Sequence, residues 1–110
     1  MNLQYEIKTT PIFEKQSKKL IRKYKSLKEE LVELIESLEE NPMQGIPLSN
    51  HCFKIRISIK SKGKGKSGGA RIITHFLVND GIIFLLTIYD KSEKDSVTDK
   101  ELIEILNTIE

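Results

Sequence analysis

Mostly apolar residues recur every three or four positions along the first half of the chain, a spacing typical of amphipathic helices. Two such faces follow each other. The first comprises Phe13, Ser17, Leu20 and Tyr24, and the second comprises Leu27, Leu31, Leu34, Ile35 and Leu38. The break between Tyr24 and Ser26 is very short, which predicts a helical hairpin.

Capping residues mark where the helices begin. Thr10 can cap the first helix, and Pro11 suits its first position. Ser26–Glu29 has the form of a capping box and predicts the start of the second helix, which Asn41-Pro42 ends. A second capping box at Thr98–Glu101 opens a third helix. Its apolar face comprises Leu102, Ile105, Leu106 and Ile109.

Four segments have the composition of β-strands. Gln4–Lys8 is short, Phe53–Ile59 alternates apolar with polar residues, and Arg71–Val78 is rich in β-branched and aromatic residues. Ile82–Tyr89 is apolar nearly throughout, which predicts a central strand covered on both faces. Asn79–Gly81 predicts a hairpin turn before it.

The predicted order of elements is β-α-α-β-β-β-α in one domain, residues 1–110. We therefore expect an α+β fold in which a helical hairpin packs on a mainly antiparallel sheet, with a C-terminal helix.

A lysine- and glycine-rich stretch, KSKGKGKSGGAR, spans Lys60 to Arg71. Its Gly65-Lys66-Ser67 tripeptide matches the end of a P-loop, but the leading glycine of that motif would fall at position 60, which is lysine. A predicted strand rather than a helix follows. The stretch is therefore either a solvated hairpin loop or a mobile basic loop that closes on a polyanion.

The net charge of +2 hides an uneven distribution. Residues 41–79 contain no Asp or Glu and carry seven basic side chains, a local balance of +7, and the remaining residues balance at −5. Such a split predicts a positive surface whose partner is a nucleic-acid backbone or an acidic protein segment.

Other features limit the class of protein. No apolar run approaches the ~20 residues that a membrane span needs, and the N-terminus lacks an apolar signal core, so we expect a cytoplasmic protein. The single cysteine, Cys52, is expected to be a small buried apolar residue. The two histidines have no acidic residues nearby in the sequence, so no metal site or cofactor is expected.

Strand alternation groups several basic and aromatic residues on one side of the sheet, with Thr87, Tyr89 and Lys91 sharing a side of the last strand. If the hairpin covers the other side, an open face carries Lys54, Arg56, Arg71, His75, Tyr89 and Lys91. Such a cluster suits cleavage of RNA by its own 2′-hydroxyl. That reaction needs a base, cations around the phosphorus and an acid at the leaving oxygen, and basic side chains can supply all three.

Two motifs resemble the RelE/ParE superfamily of bacterial toxins, with HigB-type members of the RelE branch most similar. Gly63–Ile73 is similar to the G-[RK]-G-K-S-G-G-x-R-[VI]-I run of these toxins, and Tyr89–Thr98 is similar to their Y-x-K-x-E-x-D-x-[LV]-T run. The resemblance covers nearly the whole chain. It implies a ribosome-dependent mRNA endoribonuclease (an mRNA interferase) that inhibits translation and is neutralised by a cognate antitoxin.

The resemblance also implies roles for individual residues. Lys54, Arg56, Arg71 and Lys91 match basic residues of the active face of the family. Ser92 and Thr98 depart from it, because many RelE enzymes carry an arginine and a tyrosine there. The role of that tyrosine then falls to Tyr89, Lys91 or His75. Contacts to the RNA backbone are expected from Lys60, Lys62, Lys64, Lys66 and Lys94.

Two alternative functions are compatible with the same fold but involve no cleavage of RNA. One is a ParE-like inhibitor that binds DNA gyrase and catalyses nothing, and the other is an RNA-binding or interaction module without a working base. The basic cluster favours the nuclease, since a protein that only binds another protein does not need it. In each case a positive face predicts an acidic or amphipathic antitoxin segment.

Overall fold

The computed structural model describes residues 5–63 and 65–109, with Lys66 described by its backbone alone. The helices are α1 (Pro11–Lys23), α2 (Leu27–Glu40) and α3 (Asp99–Leu106). The strands are β1 (Glu6–Thr9), β2 (Ile46–Pro47), β3 (Cys52–Ile57), β4 (Ala70–Leu77) and β5 (Ile82–Asp90). The predicted α+β class and the order of the predicted elements are confirmed, with one strand added.

The strands form one five-stranded sheet in the order β1-β5-β4-β3-β2. β1 runs parallel to β5, and the other neighbouring pairs are antiparallel. β5 lies between two strands and is buried on both faces, as its apolar sequence predicts. Gly81 takes the left-handed conformation (φ 65°) in the turn before it, which confirms the turn expected at Asn79–Gly81.

The added strand is β2, which pairs with Lys54 and Phe53 of β3. Two residues that include a proline carry no alternation, so no pattern in the sequence indicates a strand there. The close approach depends on Gly45 (φ 99°), where a Cβ atom would lie 2.4 Å from the carbonyl oxygen of Lys54.

Some predicted strand ends are displaced. The first strand begins at Glu6, and Gln4 lies outside the described residues. β3 ends at Ile57, after which the chain enters a single 3₁₀ turn at Lys60–Lys62. Ile59 is fully buried although it lies beyond the strand, so its predicted burial is confirmed.

The helical hairpin packs on one face of the sheet and forms the larger core. Leu27, Leu31, Leu34 and Leu38 of α2 are all buried, as the apolar stripe predicts. α1 contributes Phe13 and Leu20 to the same core. These helix residues pack against strand residues on the same face of the sheet. In β3, β4 and β5 those residues are Phe53, Ile55, Ile72, Phe76, Ile83, Leu85 and Ile88.

A second, smaller core lies on the opposite face, where α3 packs through Leu102. Its buried members are Cys52, Ile73, Leu86, Tyr89 and Leu102. The expectation of an open face opposite the hairpin is therefore wrong for this part of the sheet. The burial of Cys52 is confirmed.

Two of the three predicted caps are present. The Thr10 hydroxyl accepts a hydrogen bond from the Phe13 amide at 3.0 Å, and Thr98 forms a complete capping box with Glu101. The capping box predicted at Ser26 is wrong, because Ser26 makes no side-chain cap and its Oγ donates to Glu30 at 3.0 Å. Within the described residues, no helix has the length and apolarity to cross a membrane.

Candidate functional site

Three side chains form a row across the middle of the sheet. Arg56 of β3 lies directly opposite Arg71 of β4, and Arg71 lies opposite Tyr89 of β5. Residues paired in this way point to the same side of an antiparallel sheet. The row lies on the side that α3 partly covers, and it extends from exposed Arg56 to buried Arg71 and Tyr89.

Arg71 is 3% exposed, so it lies within the sheet rather than on an open surface as expected. Its guanidinium donates to the carbonyl oxygens of Ala70 at 3.1 Å and of Ser67 at 3.3 Å. Burial and the neighbouring charge of Arg56 lower its pKa. Arg71 therefore fixes the end of the glycine-rich loop and places a positive charge beside that of Arg56.

Tyr89 is 7% exposed, and its hydroxyl has no hydrogen-bond partner among the described residues. Burial raises its pKa, so the phenol stays protonated at neutral pH. The Lys94 ammonium lies 6.0 Å from the centre of its ring. A buried hydroxyl without a partner costs about 1–3 kcal/mol. A ligand oxygen would recover that energy.

Two lysines extend the row. Lys54 precedes Arg56 by two residues and shares its side of β3. Lys91 follows β5, and its amide donates to the Gly69 carbonyl at 3.0 Å. The Lys91 ammonium forms an ion pair with Asp95.

Asp95 is a site residue that the sequence analysis missed. The hydrogen bond from Lys91 and the Lys91 charge hold its pKa below its usual value, with further contributions from Lys54 and Arg71. It lies in a loop without periodicity, where no alternation assigns a face. The available signals were its spacing of four residues from Lys91 and its place as the Asp of the Tyr89–Thr98 motif.

His75 does not join this cluster. It lies opposite Cys52, four residues along β4 from Arg71, which is about 13 Å at the usual rise per residue. Its Nδ1 is 3.5 Å from the Cys52 sulfur. Burial lowers the pKa of His75 and raises that of Cys52 to about 11, so both are neutral at pH 7. Alternation identified the face of His75 correctly but not its distance from Arg71.

Thr87 is also placed differently from its expected grouping with Tyr89. Its hydroxyl donates to Gln16 of α1 at 2.8 Å, on the hairpin side of the sheet. The cause is a register shift between β4 and β5, where Ile73 pairs with Thr87 but Thr74 pairs with Leu85. The bulge interrupts the alternation on which the grouping depended.

The basic loop is held at its start by a buried ion pair. The Lys62 ammonium lies 2.5 Å from Asp90, whose side chain is fully buried. Asp90 also accepts from the Tyr24 hydroxyl at 2.6 Å and from the Ser92 hydroxyl at 2.7 Å. A contact with the RNA backbone was expected for Lys62, but in this structure its ammonium is paired with Asp90.

Further contacts hold the same turn against the helical hairpin. The Lys60 amide donates to Glu30 at 2.8 Å, and the Ser61 amide donates to Ser26 at 2.9 Å. The Lys60 side chain is exposed, as expected for a side chain that contacts the RNA backbone. Lys94 forms an ion pair with Glu101. Lys64 and the side chain of Lys66 lie outside the described residues.

The end of the loop is fixed by close packing. A Cβ atom on Gly69 would lie 2.0 Å from the Ile57 carbonyl oxygen. A larger residue would separate the loop from β3, and Arg71 follows two residues later. The glycine therefore keeps Arg71 in the row with Arg56 and Tyr89.

The register of the strands brings these groups to one side of the sheet. Arg56 and Arg71 offer charged donors to the oxygens of a phosphate. Tyr89 offers a protonated hydroxyl, and Lys54 and Lys91 flank the row. No single chemistry follows from geometry alone, but an oligoanion is the ligand that this charge and donor set would bind.

Comparison with known proteins identifies a family and a fold. The family model of the RelE toxin of the RelE/RelB toxin–antitoxin system matches residues 10–108. The structure is similar to an arginine-to-alanine double mutant of E. coli toxin RelE in the free state. The TM-score is 0.59 at 15% identity, over 97% of this chain and 99% of that chain. The isolated E. coli RelE toxin gives a TM-score of 0.48 at 17% identity, over 94% and 97% of the two chains.

Proposed function

This chain belongs to the family of RelE toxins of toxin–antitoxin systems. On that premise we propose that it is an endoribonuclease that cleaves messenger RNA on the ribosome and so inhibits translation in the cytoplasm. The narrower HigB-type assignment stays a prediction from the two sequence motifs. Membership of the family implies an antitoxin partner, and we propose that an acidic or amphipathic segment of it docks on the basic face.

One observation carries the proposal. Arg56, Arg71 and Tyr89 form a continuous row of donors across three strands, and the last of them is a buried hydroxyl without a partner among the described residues. An RNA phosphate supplies an acceptor oxygen for that hydroxyl. A protein that only binds another protein gains nothing from a buried, unsatisfied hydroxyl beside two arginines.

The proposed reaction assigns each group a step. The 2′-oxygen attacks the adjacent phosphorus and the bond to the 5′-oxygen breaks, which leaves a 2′,3′-cyclic phosphate and a 5′-hydroxyl. Lys54 takes the proton of the 2′-hydroxyl, and Tyr89 donates a proton to the leaving 5′-oxygen. Arg56 and Arg71 neutralise the charge that builds up on the phosphate oxygens.

The loop residues extend the surface. Lys60 is exposed, and Lys94 lies above the ring of Tyr89. We propose that Lys60 and Lys94 hold the RNA backbone together with Lys64 and Lys66, which the sequence places in the same loop as Lys60. Lys62 is left out of this surface because its ammonium is paired with Asp90.

The first test uses purified protein, messenger RNA and ribosomes stalled with a known codon in the A site. Primer extension maps new 5′ ends for the wild type, for Arg71→Ala and for a reaction without ribosomes. We expect codon-spaced cuts that require the ribosome and that Arg71→Ala slows by about 10²–10³-fold, the usual loss for one preorganised donor.

Arg22→Ala is the matched control, because Arg22 is exposed in the last turn of α1 and lies outside the row. Circular dichroism of each variant checks that it is folded, and Arg71→Lys keeps the charge where Ala does not. An intact message with protein still bound to the ribosome would rule out the nuclease. Inhibition of gyrase supercoiling by the same protein would then favour the ParE-like alternative.

A further inference from the structure

One acidic side chain lies at the edge of the basic row. Asp95 is in the loop between β5 and α3, and its side chain is 88% exposed. Among the contacts described for its carboxylate, the one hydrogen-bonded partner is the Lys91 ammonium. No packing holds it in place, so its position depends on charge.

The carboxylate lies in the electrostatic field of several proposed RNA ligands. Besides Lys91, Lys54 and Arg71 stabilise its charged form. The charge of Asp95 also acts on the Tyr89 hydroxyl. The charge of Asp95 is therefore felt at several residues of the row, and its one described contact is with Lys91.

A carboxylate and a phosphate offer an ammonium group the same kind of acceptor. Both present anionic oxygens to N–H donors at similar distances. An exposed ion pair contributes little to stability, and water and salt exchange it readily. A phosphate held by several donors can therefore displace the single contact that Asp95 makes with Lys91.

We propose that Asp95 is an intramolecular anion that occupies Lys91 in the free protein and competes with RNA phosphate for the basic row. This inference rests on the proposed function, because it concerns the same surface. Asp95 lowers the affinity of the free protein for RNA. Tight binding then requires an RNA that also contacts the other residues of the basic row. Asp95 makes the isolated toxin a poor binder of free RNA.

The same loop provides a matched control. Glu93 also carries one negative charge and is exposed, but its carboxylate pairs with Lys23 at the end of α1 at 3.2 Å. Removing the charge of Glu93 changes the net charge of the protein by the same amount as removing that of Asp95. A difference between the two variants therefore reports position and not net charge.

The experiment measures binding of a short fluorescein-labelled oligouridine by anisotropy, without ribosomes, for the wild type, Asp95→Asn and Glu93→Gln. We expect Asp95→Asn to bind about fivefold more tightly at low salt, the effect of one unit charge about 4 Å away in water. Glu93→Gln should change affinity by less than about twofold, because the Glu93 carboxylate pairs with Lys23 and not with a residue of the basic row. The gain should shrink as salt rises.

A second comparison tests whether Asp95 acts through Lys91. In a Lys91→Ala background, Asp95→Asn should give less than half of its gain in log affinity, because the contact to be released is already gone. An equal gain in both backgrounds would overturn competition for Lys91. Asp95→Asn should leave the thermal midpoint nearly unchanged, since the side chain is exposed.

Other outcomes overturn the proposal outright. Unchanged or weaker binding by Asp95→Asn would show that the carboxylate does not compete with RNA. Unchanged binding with slower cleavage on the ribosome would make Asp95 a proton carrier or a positioning residue for Lys91. Because binding is measured apart from cleavage, tighter binding by Asp95→Asn in a protein that cuts no message would refute the nuclease and leave this inference standing.

Discussion

Two tyrosines of this protein are both partly or fully buried, but their hydroxyls are in opposite situations. The Tyr24 hydroxyl donates to the Asp90 carboxylate at 2.6 Å, and the Tyr89 hydroxyl has no partner within the described residues. The first stabilises the fold and the second costs stability. A polar group left unsatisfied beside Arg71 is what a binding site for an anionic ligand requires.

Replacement of each tyrosine by phenylalanine should therefore separate stability from function. Tyr89→Phe is expected to leave the free energy of unfolding unchanged or to raise it by about 1 kcal/mol, since no hydrogen bond is lost. Cleavage on the ribosome should fall by about 10²–10⁴-fold, the usual contribution of a general acid. Urea denaturation and primer extension provide the two measurements.

Tyr24→Phe is the control, and its pattern should be the reverse. Loss of a hydrogen bond to a charged group is expected to cost about 1.5–3 kcal/mol, with cleavage by the folded fraction little changed. Full activity in Tyr89→Phe would refute the role proposed for its hydroxyl.

The residues of the site differ in how far sequence could identify them. Alternation and the two motifs selected Lys54, Arg56, Arg71 and Tyr89, and the structure places them in or beside one row. His75 was grouped with them because alternation gives the face of a residue but not its position along the strand.

Helix caps show how local sequence and chain geometry combine. Thr98 has the extended backbone that an N-cap requires (φ −76°, ψ 160°), and its box with Glu101 forms. Ser26 has the same sequence pattern but a helical backbone (φ −76°, ψ −16°). The connection from α1 is so short that the Leu27 amide reaches the Tyr24 carbonyl at 3.2 Å, and within this tight turn Ser26 does not take the extended backbone of an N-cap.

The two caps should respond differently to alanine. Thr98→Ala is expected to lower the free energy of unfolding by about 1 kcal/mol, measured by urea denaturation, because the α3 amide of Glu101 loses its acceptor. Ser26→Ala should instead increase hydrogen exchange at the Ser61 amide, which donates to the Ser26 hydroxyl. Unchanged exchange at Ser61 would show that this bond does not hold the basic turn.

At the scale of the whole molecule, Asp90 links three separate parts of the chain. Its carboxylate binds Tyr24 at the end of α1, Lys62 in the basic loop and Ser92 after β5. Burial alone would raise its pKa, but the hydrogen bonds from Lys62, Tyr24 and Ser92 outweigh it and hold the pKa well below the usual range. One buried charge thus holds the loop against the hairpin and the sheet.

Asp90→Asn should therefore destabilise the protein by about 3 kcal/mol, because Lys62 is left without its counter-charge. The sign of the pH dependence follows from the depressed pKa. The stability that Asp90 contributes is fully present above its unfolded pKa of about 3.9 and is lost as pH falls toward the lower folded pKa. Urea denaturation at neutral and acid pH measures both effects.

Asp80→Asn is the matched control for that experiment. Asp80 is exposed in the turn before β5, so the same chemical change should alter stability by less than about 0.5 kcal/mol. Equal effects of the two variants would show that Asp90 does not hold the three parts together.

The sequence by itself determined the elements and the chemistry they carry. Apolar periodicity, capping residues and turn glycines act within a few residues, so they predicted both long helices and four strands. The charge distribution and the two motifs are also read from residues close together in the chain, so they identified the basic residues of the row.

The tertiary structure alone decided what depends on distant residues. β2 forms only because β3 is beside it, and α3 packs with Tyr89 on a face that alternation left open. The Lys62–Asp90 pair joins residues 28 positions apart. No local pattern encodes such contacts, because they arise from where the sheet brings the chain together.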